Sequence, residues 1–286
     1  MRLNHNLASL NIYRNHVKNL KSNSLAMNNI SSGQKISTAK DNPNAIAQSE
    51  KLRLQIRGLQ MASRNVQDGA SMLQNADGAL DSVTSMLQRI RELTVQAGGV
   101  NSEEDRKIIQ DEINQMIKGI DHTVNNNEFN GVKLLSSGTK GNVKPSIIKM
   151  PSGANVGEEV EIPVYKLTSD MIGNSKNGDK LADINVLSSK GISAALQTID
   201  GAIETVSTAR SKYGAIQNRF ESLYNNLSET EAALQNAESS VKDADIAYEM
   251  MQISKSNILI EAGNAMMVQS NNFPKEILRI LENLRG

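Results

Sequence analysis

The chain has 286 residues, no Cys, no Trp, three Phe and five Tyr, and its 31 basic residues balance its 31 acidic ones. Absent thiols exclude disulfides, iron–sulfur clusters and cysteine nucleophiles, and the balanced charge offers no bulk field for nucleic acid or anionic lipid. With few aromatics to fill a thick core, Leu, Ile, Val, Met and Ala must build thin helical layers. No apolar run approaches the ~20 residues that span a bilayer, so membrane insertion is not expected. The opening MRLNHNLASLNIYRNHVKNL lacks a continuous apolar segment, so no cleaved secretory signal is expected either.

The first 40 residues carry a narrow apolar seam. Leu3, Leu10 and Val17 stand seven apart, as do Tyr13, Leu20 and Met27, with Leu7 beside them and Asn, Ser, Lys and Arg between. Ser31-Ser32-Gly33 breaks the pattern. A long helix then opens where Asn42 can cap and Pro43 suits the first helical position. Its heptads are Ala45, Leu52, Leu59, Val66, Leu73, Leu80 and Leu87, completed by Ile56, Ala76, Val83 and Ile90, and Gly98-Gly99 ends it. The capping-box pattern Ser102-x-x-Asp105 starts a second helix with the stripe Ile109, Ile113, Met116, Ile120 and Val124. Asn125-Asn126-Asn127 and Asn130-Gly131 close it.

Residues 131–188 change character, being rich in Gly, Ser, Asn, Lys and Pro, and Val160, Ile162 and Val164 alternate as a strand does. They predict a small β or irregular insertion at one end of a helical rod. The heptads return as Ile192, Ile199, Val206, Tyr213, Phe220, Leu227, Leu234, Val241 and Tyr248. Such a run implies a helix of about 56 residues, roughly 85 Å long at 1.5 Å per residue. A stripe held in register this long means coiled-coil packing against partner helices. The fold expected is mainly α: a long coiled-coil-like rod with paired terminal helices and a small β/irregular insertion. Its domains are 1–40 with 243–286, 41–135 with 189–242, and the insertion 136–188.

The last helix poses a burial problem. From Ile258 to Val268 it reads ILIEAGNAMMV, apolar at eight of eleven positions. The N-terminal seam is expected to cover one side of it, and one partner cannot cover the rest. Exposed apolar patches of this size mark interaction sites. Heterologous contacts between copies would then give rings or open filaments. The other reading is that both terminal helices dock on the rod as a closed bundle, giving a soluble coiled-coil adaptor.

Several long stretches resemble one family. SSGQKISTAKDNPNAIAQSEKLRLQIRGLQMASRNVQDGASMLQNADGAL, QRIRELTVQAGGVNSEEDRKIIQDEINQMIKGID and NEFNGVKLL resemble the N-terminal region of bacterial flagellins. VKDADIAYEMMQISKSNILIEAGNAMM is similar to their C-terminal region, so the likeness covers about residues 1–135 and 190–272. The resemblance implies a structural subunit that polymerises into the hollow helical flagellar filament for swimming motility. It implies secretion to the cell exterior without a cleaved signal peptide. Copies of the chain itself, the flagellar export apparatus and export chaperone, and the filament cap and hook-junction proteins are the partners implied. A hook–filament junction protein is the nearest alternative in kind. The subunit interface expected on this basis comprises Leu3, Leu7, Leu10, Val17, Leu20, Met27, Ile258, Leu259, Ile260, Ala265, Met266 and Met267. The tail after Phe273 departs from the family pattern, and the insertion is short.

Chemistry-bearing motifs are absent from the sequence. His5, His16 and His122 stand outside any HExxH context and no phosphate-binding Gly-Lys-Ser/Thr loop occurs, so no catalysis and no cofactor are expected. Asn29-Ile30-Ser31 and Asn226-Leu227-Ser228 match the Asn-linked glycosylation pattern but fall in helices expected to pack. One further patch stands out: Gln88, Arg89, Arg91, Glu92, Leu93 and Gln96. Arg89, Leu93 and Gln96 follow i, i+4, i+7 and share a helical face. Read from the pattern alone, Leu93 packs on the next helix. The resemblance implies instead that this segment, with Glu112, matches the motif bound by a vertebrate Toll-like receptor, on a surface buried between subunits in the filament.

Overall fold

The computed structural model describes residues 6–99, 102–136, 146–174 and 179–283. Five helices dominate: α1 (Leu7–Ser32), α2 (Pro43–Ala97), α3 (Glu103–Asn126), α4 (Ser189–Lys242) and α5 (Ile246–Asn283). Between α3 and α4 lie three antiparallel two-stranded ladders, β1 (Glu128–Phe129) with β2 (Val132–Lys133), β3 (Ser146–Pro151) with β4 (Glu159–Val164), and β5 (Gly173–Asn174) with β6 (Asp179–Lys180). The protein is mainly α with small β elements, as its heptads and short alternating run require. Its contacts divide it into two compact units, Met1–Gln55 with Ala233–Gly286, and Ile56–Ala232.

Helix ends form where the sequence marks them. Asn42 Oδ1 accepts from the Ala45 amide at 3.1 Å, and Pro43 opens α2. Ser102 Oγ accepts from the Asp105 amide while Asp105 Oδ2 accepts from the Ser102 amide, each at 3.2 Å. The Ser102 hydroxyl and amide hold the Asp105 carboxyl below its ordinary range. At α5, Asp245 Oδ1 accepts from the amides of Ala247 and Tyr248. The helix then runs on through Phe273 and Pro274 to Asn283.

In the Ile56–Ala232 unit, the heptad positions of three helices share one core. Leu73, Leu80 and Leu87 of α2, Ile113 and Ile120 of α3, and Ile199, Val206 and Tyr213 of α4 are all fully buried. At ~1.5–3 kcal/mol for each fully buried side chain, this seam outweighs the exposed ion pairs, worth ~0–1 kcal/mol each. The cross-links between α2 and α4 run in opposite senses along the chain, so the helices are antiparallel. Arg91 Nε donates to Asp200 Oδ1 at 2.9 Å, Arg210 Nε to Asp77 Oδ1 at 3.0 Å, and Gln60 Nε2 to Glu231 Oε1 at 2.8 Å.

The described residues of the insertion lie along the helices of this unit rather than at one end of them. Asn127 Nδ2 bonds Asn75 Oδ1, so α3 accompanies only the later part of α2. The β3–β4 hairpin lies beside the earlier part: Asn65 Nδ2 donates to the Pro151 carbonyl at 3.3 Å, and Met150 and Phe220 close on the notch left by Gly69. Val160, Ile162 and Val164 alternate as expected, and all three are buried. The chain then returns along α3. Asp121 accepts from the Ser169 amide and hydroxyl at 2.8 and 2.6 Å, and Gln110 Oε1 accepts from the Val186 amide at 2.8 Å. The alternating face needs apolar cover, and the helices supply it along their length.

In the other unit α1 and α5 pair antiparallel. Asn29 Nδ2 donates to Glu249 Oε1 at 2.9 Å, and Asn6 Nδ2 to the Ser270 carbonyl at 2.8 Å. Gly33, at φ 70°, ends α1 in the left-handed region. Its carbonyl accepts from the Ala244 amide at 3.0 Å and the Lys35 amide donates to the Lys242 carbonyl at 2.9 Å, tying the two linkers together.

Candidate functional site

The α1–α5 pair uses a different face of α1 from the one its apolar stripe predicts. The less exposed positions on α1 are Ser9, Ile12, His16, Asn19, Asn23, Ala26, Asn29 and Ile30, a heptad-spaced stripe of mostly polar or small residues. On α5 the matching positions are Gln252, Ile253, Ser256, Ile260, Gly263, Met267 and Ser270. Ala26 and Ser256 are buried, and Gly263 lies opposite His16. Small side chains let the backbones approach, and the Asn side chains bond across the gap.

The seam expected to cover α5 therefore faces away from it. Leu7, Leu10, Val17, Leu20 and Met27 are all exposed, as are Tyr13 and Leu25. On α5, Ile258, Leu259, Ala265 and Met266 are exposed, whereas Ile260 and Met267 are half-buried towards α1. Leu3 lies outside the described residues. Two apolar surfaces thus remain open on the terminal pair. Hydrophobic periodicity does not register Asn, His and Ser, so the polar seam shows in the sequence only as the seven-residue spacing of His16, Asn23 and Ile30.

The second candidate surface lies on α2. Gln88, Arg91, Glu92, Val95 and Gln96 line an open groove on the helix face turned from the core. Arg89 Nη1 meets Glu92 Oε2 at 3.1 Å and its Nη2 meets Glu112 Oε1 at 3.3 Å on α3. These carboxylates, Glu92 first, hold the guanidinium above its ordinary range. On the other flank Arg91 pairs with Asp200 of α4. The groove is therefore bordered by one ion pair to each neighbouring helix. Leu93 is not part of it. Only 2% exposed, Leu93 belongs to the core with Ile90 and Ala97, because its helical angle turns it between α2's neighbours. Val95, from within the same stretch, lines the groove, and Asp200 of α4, far from it in sequence, joins the surface through Arg91.

Among the described residues no cluster of three or more His, Asp or Glu could hold a metal ion. None of the described helices is long and apolar enough to cross a membrane.

Comparison with known proteins gives matches at both ends of the chain. The family descriptions "Bacterial flagellin N-terminal helical region" and "Bacterial flagellin C-terminal helical region" match residues 3–140 and 196–281. The flagellin of Halalkalibacterium halodurans is 39% identical over 282 residues, covering 98% of this chain and 100% of that protein. The flagellin of Bacillus subtilis is 38% identical over 305 residues, with the same coverage. Among solved structures, a Vibrio parahaemolyticus protein provisionally assigned as flagellar hook-associated shares the fold. Its TM-score is 0.58 at 15% identity, covering 71% of this chain and 100% of that one.

Proposed function

Since this chain belongs to the bacterial flagellin family, and is by that membership a flagellar filament subunit, we propose that its copies assemble through the open faces of α1 and α5. The observation that carries this reading is the orientation of the terminal pair: both helices turn Leu, Ile, Val and Met to solvent while polar and small residues make up much of the seam between them. Covering such faces is worth ~25 cal/mol per Å² of apolar surface removed from water, and a repeated heterologous contact extends into a helical polymer. Leu7, Leu10, Val17, Leu20 and Met27 with Ile258, Leu259, Ala265 and Met266 form the contact, and Ile260 and Met267 support it from the α1 side. Secretion by the flagellar export apparatus with its chaperone, and contact with the filament cap and hook-junction proteins, accompany this role.

In the unassembled chain the α2 groove is the surface offered to a Toll-like receptor, with Gln88, Arg89, Arg91, Glu92, Gln96 and Glu112 as its contacts. Leu93 would support that surface from beneath. Assembly would cover the same groove.

Seeded growth of Leu10→Glu with Val17→Glu tests the assembly reading. Both sites are exposed in the free chain, so its stability should change by less than about 0.5 kcal/mol. Elongation on preformed filament seeds should be lost. Growth at the unsubstituted rate would remove these faces from the interface.

A further inference from the structure

Six of the twelve methionines fall in the terminal unit, at positions 1, 27, 250, 251, 266 and 267, in a chain with no Cys and no Trp. Their thioethers are therefore the side chains most readily oxidised by a peroxide. Four stand well out in solvent: Met27 at 58%, Met250 at 52%, Met251 at 64% and Met266 at 58% exposure. Met267 is half-buried against α1, and Met72 lies in the core of the other unit. Along α5, Met251, Ile258, Met266 and Phe273 recur at seven- or eight-residue spacing, on the side turned from α1. Met250 shares another exposed flank with Val268.

We propose that Met27, Met250, Met251 and Met266 are an oxidation-sensitive gate on assembly, modified by peroxide in the free chain and shielded once the faces that carry them are covered. The inference rests on the assembly reading above. In the reaction a sulfur lone pair attacks one peroxide oxygen. An S–O bond forms, the O–O bond breaks, and the departing hydroxide leaves as water with the proton that the sulfur-bound oxygen gives up. The thioether loses two electrons and the peroxide gains them. The product sulfoxide is polar and chiral where the thioether was apolar and pliant. Burying it in an apolar contact leaves its oxygen without a donor, which disfavours the contact. Because all four side chains lie outside the α1–α5 seam, their oxidation leaves the fold of the free chain in place. Reductases specific for the two sulfoxide epimers would reopen the gate.

The test treats the full-length free chain with hydrogen peroxide, maps sulfoxides by peptide mass spectrometry and measures growth on preformed seeds. Oxidised chain should elongate about tenfold or more slowly than untreated chain at unchanged helix content, and methionine sulfoxide reductases A and B should restore the rate. The variant Met27→Leu, Met250→Leu, Met251→Leu, Met266→Leu, a volume-conserving exchange, should keep its untreated rate after the same dose. Oxidised wild-type chain growing at the untreated rate would overturn the proposal. So would equal loss of growth in the Leu variant, which would assign the damage to other sites such as exposed Met61. Should the variant itself not assemble, the reductase arm decides: rescue that tracks reduction at these four positions supports the gate, and rescue without it refutes it. Failure of untreated chain to extend seeds would instead count against the assembly reading.

Discussion

Asn23 on α1 donates to Asn257 on α5 at 2.5 Å, so a polar pair bridges two helices that leave Leu10, Val17, Ile258 and Met266 in solvent. Such a pair fixes register more than it stabilises. Replacing both residues, Asn23→Leu with Asn257→Leu, should tighten the helix pair by about 0.5–1 kcal/mol. Amide exchange in α1 and α5 would then slow roughly two- to fivefold. Unchanged or faster exchange would show that the Asn pair, not apolar contact, holds the seam.

Two substitutions on the same stretch of α2 should behave differently. Leu93 is buried, so Leu93→Ala should cost about 2–5 kcal/mol through lost transfer and cavity terms. Arg89 is exposed and paired only at the surface, so Arg89→Ala should stay within about 1 kcal/mol of the parent. Thermal melts measure the first effect. Receptor activation by unassembled chain, compared at equal folded concentration, measures the second, and Arg89→Ala should weaken it. Full activation by folded Arg89→Ala would end the receptor assignment.

Tyr213 links stability to alkaline pH. Burial first, and the neighbouring Tyr165 second, push its phenol up from the ordinary 10.0. The folded state thus holds this proton more tightly than the unfolded state. The stability it confers is whole below the unfolded value near 10 and declines as pH rises above that towards the folded one. Tyr213→Phe removes the dependence while keeping the ring, whose centroid lies 5.7 Å from that of Tyr165. Denaturant midpoints between about pH 8 and 11 should fall for the parent and fall less for the variant.

Two glycines of α2 should respond in opposite senses. A side chain at Gly69 would run into Met150 and the Phe220 ring, so Gly69→Val should cost about 1–3 kcal/mol by crowding these two side chains. At Gly78 nothing lies within 4 Å of an added Cβ, so Gly78→Ala should gain about 0.4–1 kcal/mol. Calorimetry on the two variants checks both signs.

Much of the fold was legible because long helices repeat their burial every seven residues. Leu73, Leu80 and Leu87, and Val206, Tyr213 and Phe220, stand in the core where their spacing puts them. Asn42, Ser102 and Asp105 cap where their chemistry allows. The path of the insertion was not legible, because it depends on Asp121 and Gln110 bonding backbone far along the chain, and such bonds leave no period. On α1 the apolar stripe is present but faces solvent and not α5. On α1 that seam sets Asn, His and Ser among Ile12, Ala26 and Ile30, and hydropathy ranks the polar members as surface. On α2, the i, i+4 spacing grouped Leu93 with Arg89, although about 40° of helical rotation separates them, enough to bury one and expose the other.

The most direct test compares seeded assembly of the full-length chain with that of a chain lacking residues 1–40 and 243–286, read by electron microscopy. If the open faces of α1 and α5 join copies, long hollow filaments grow from the full-length chain alone. A discrete soluble species from both chains would contradict that role and leave the terminal pair to a different partner.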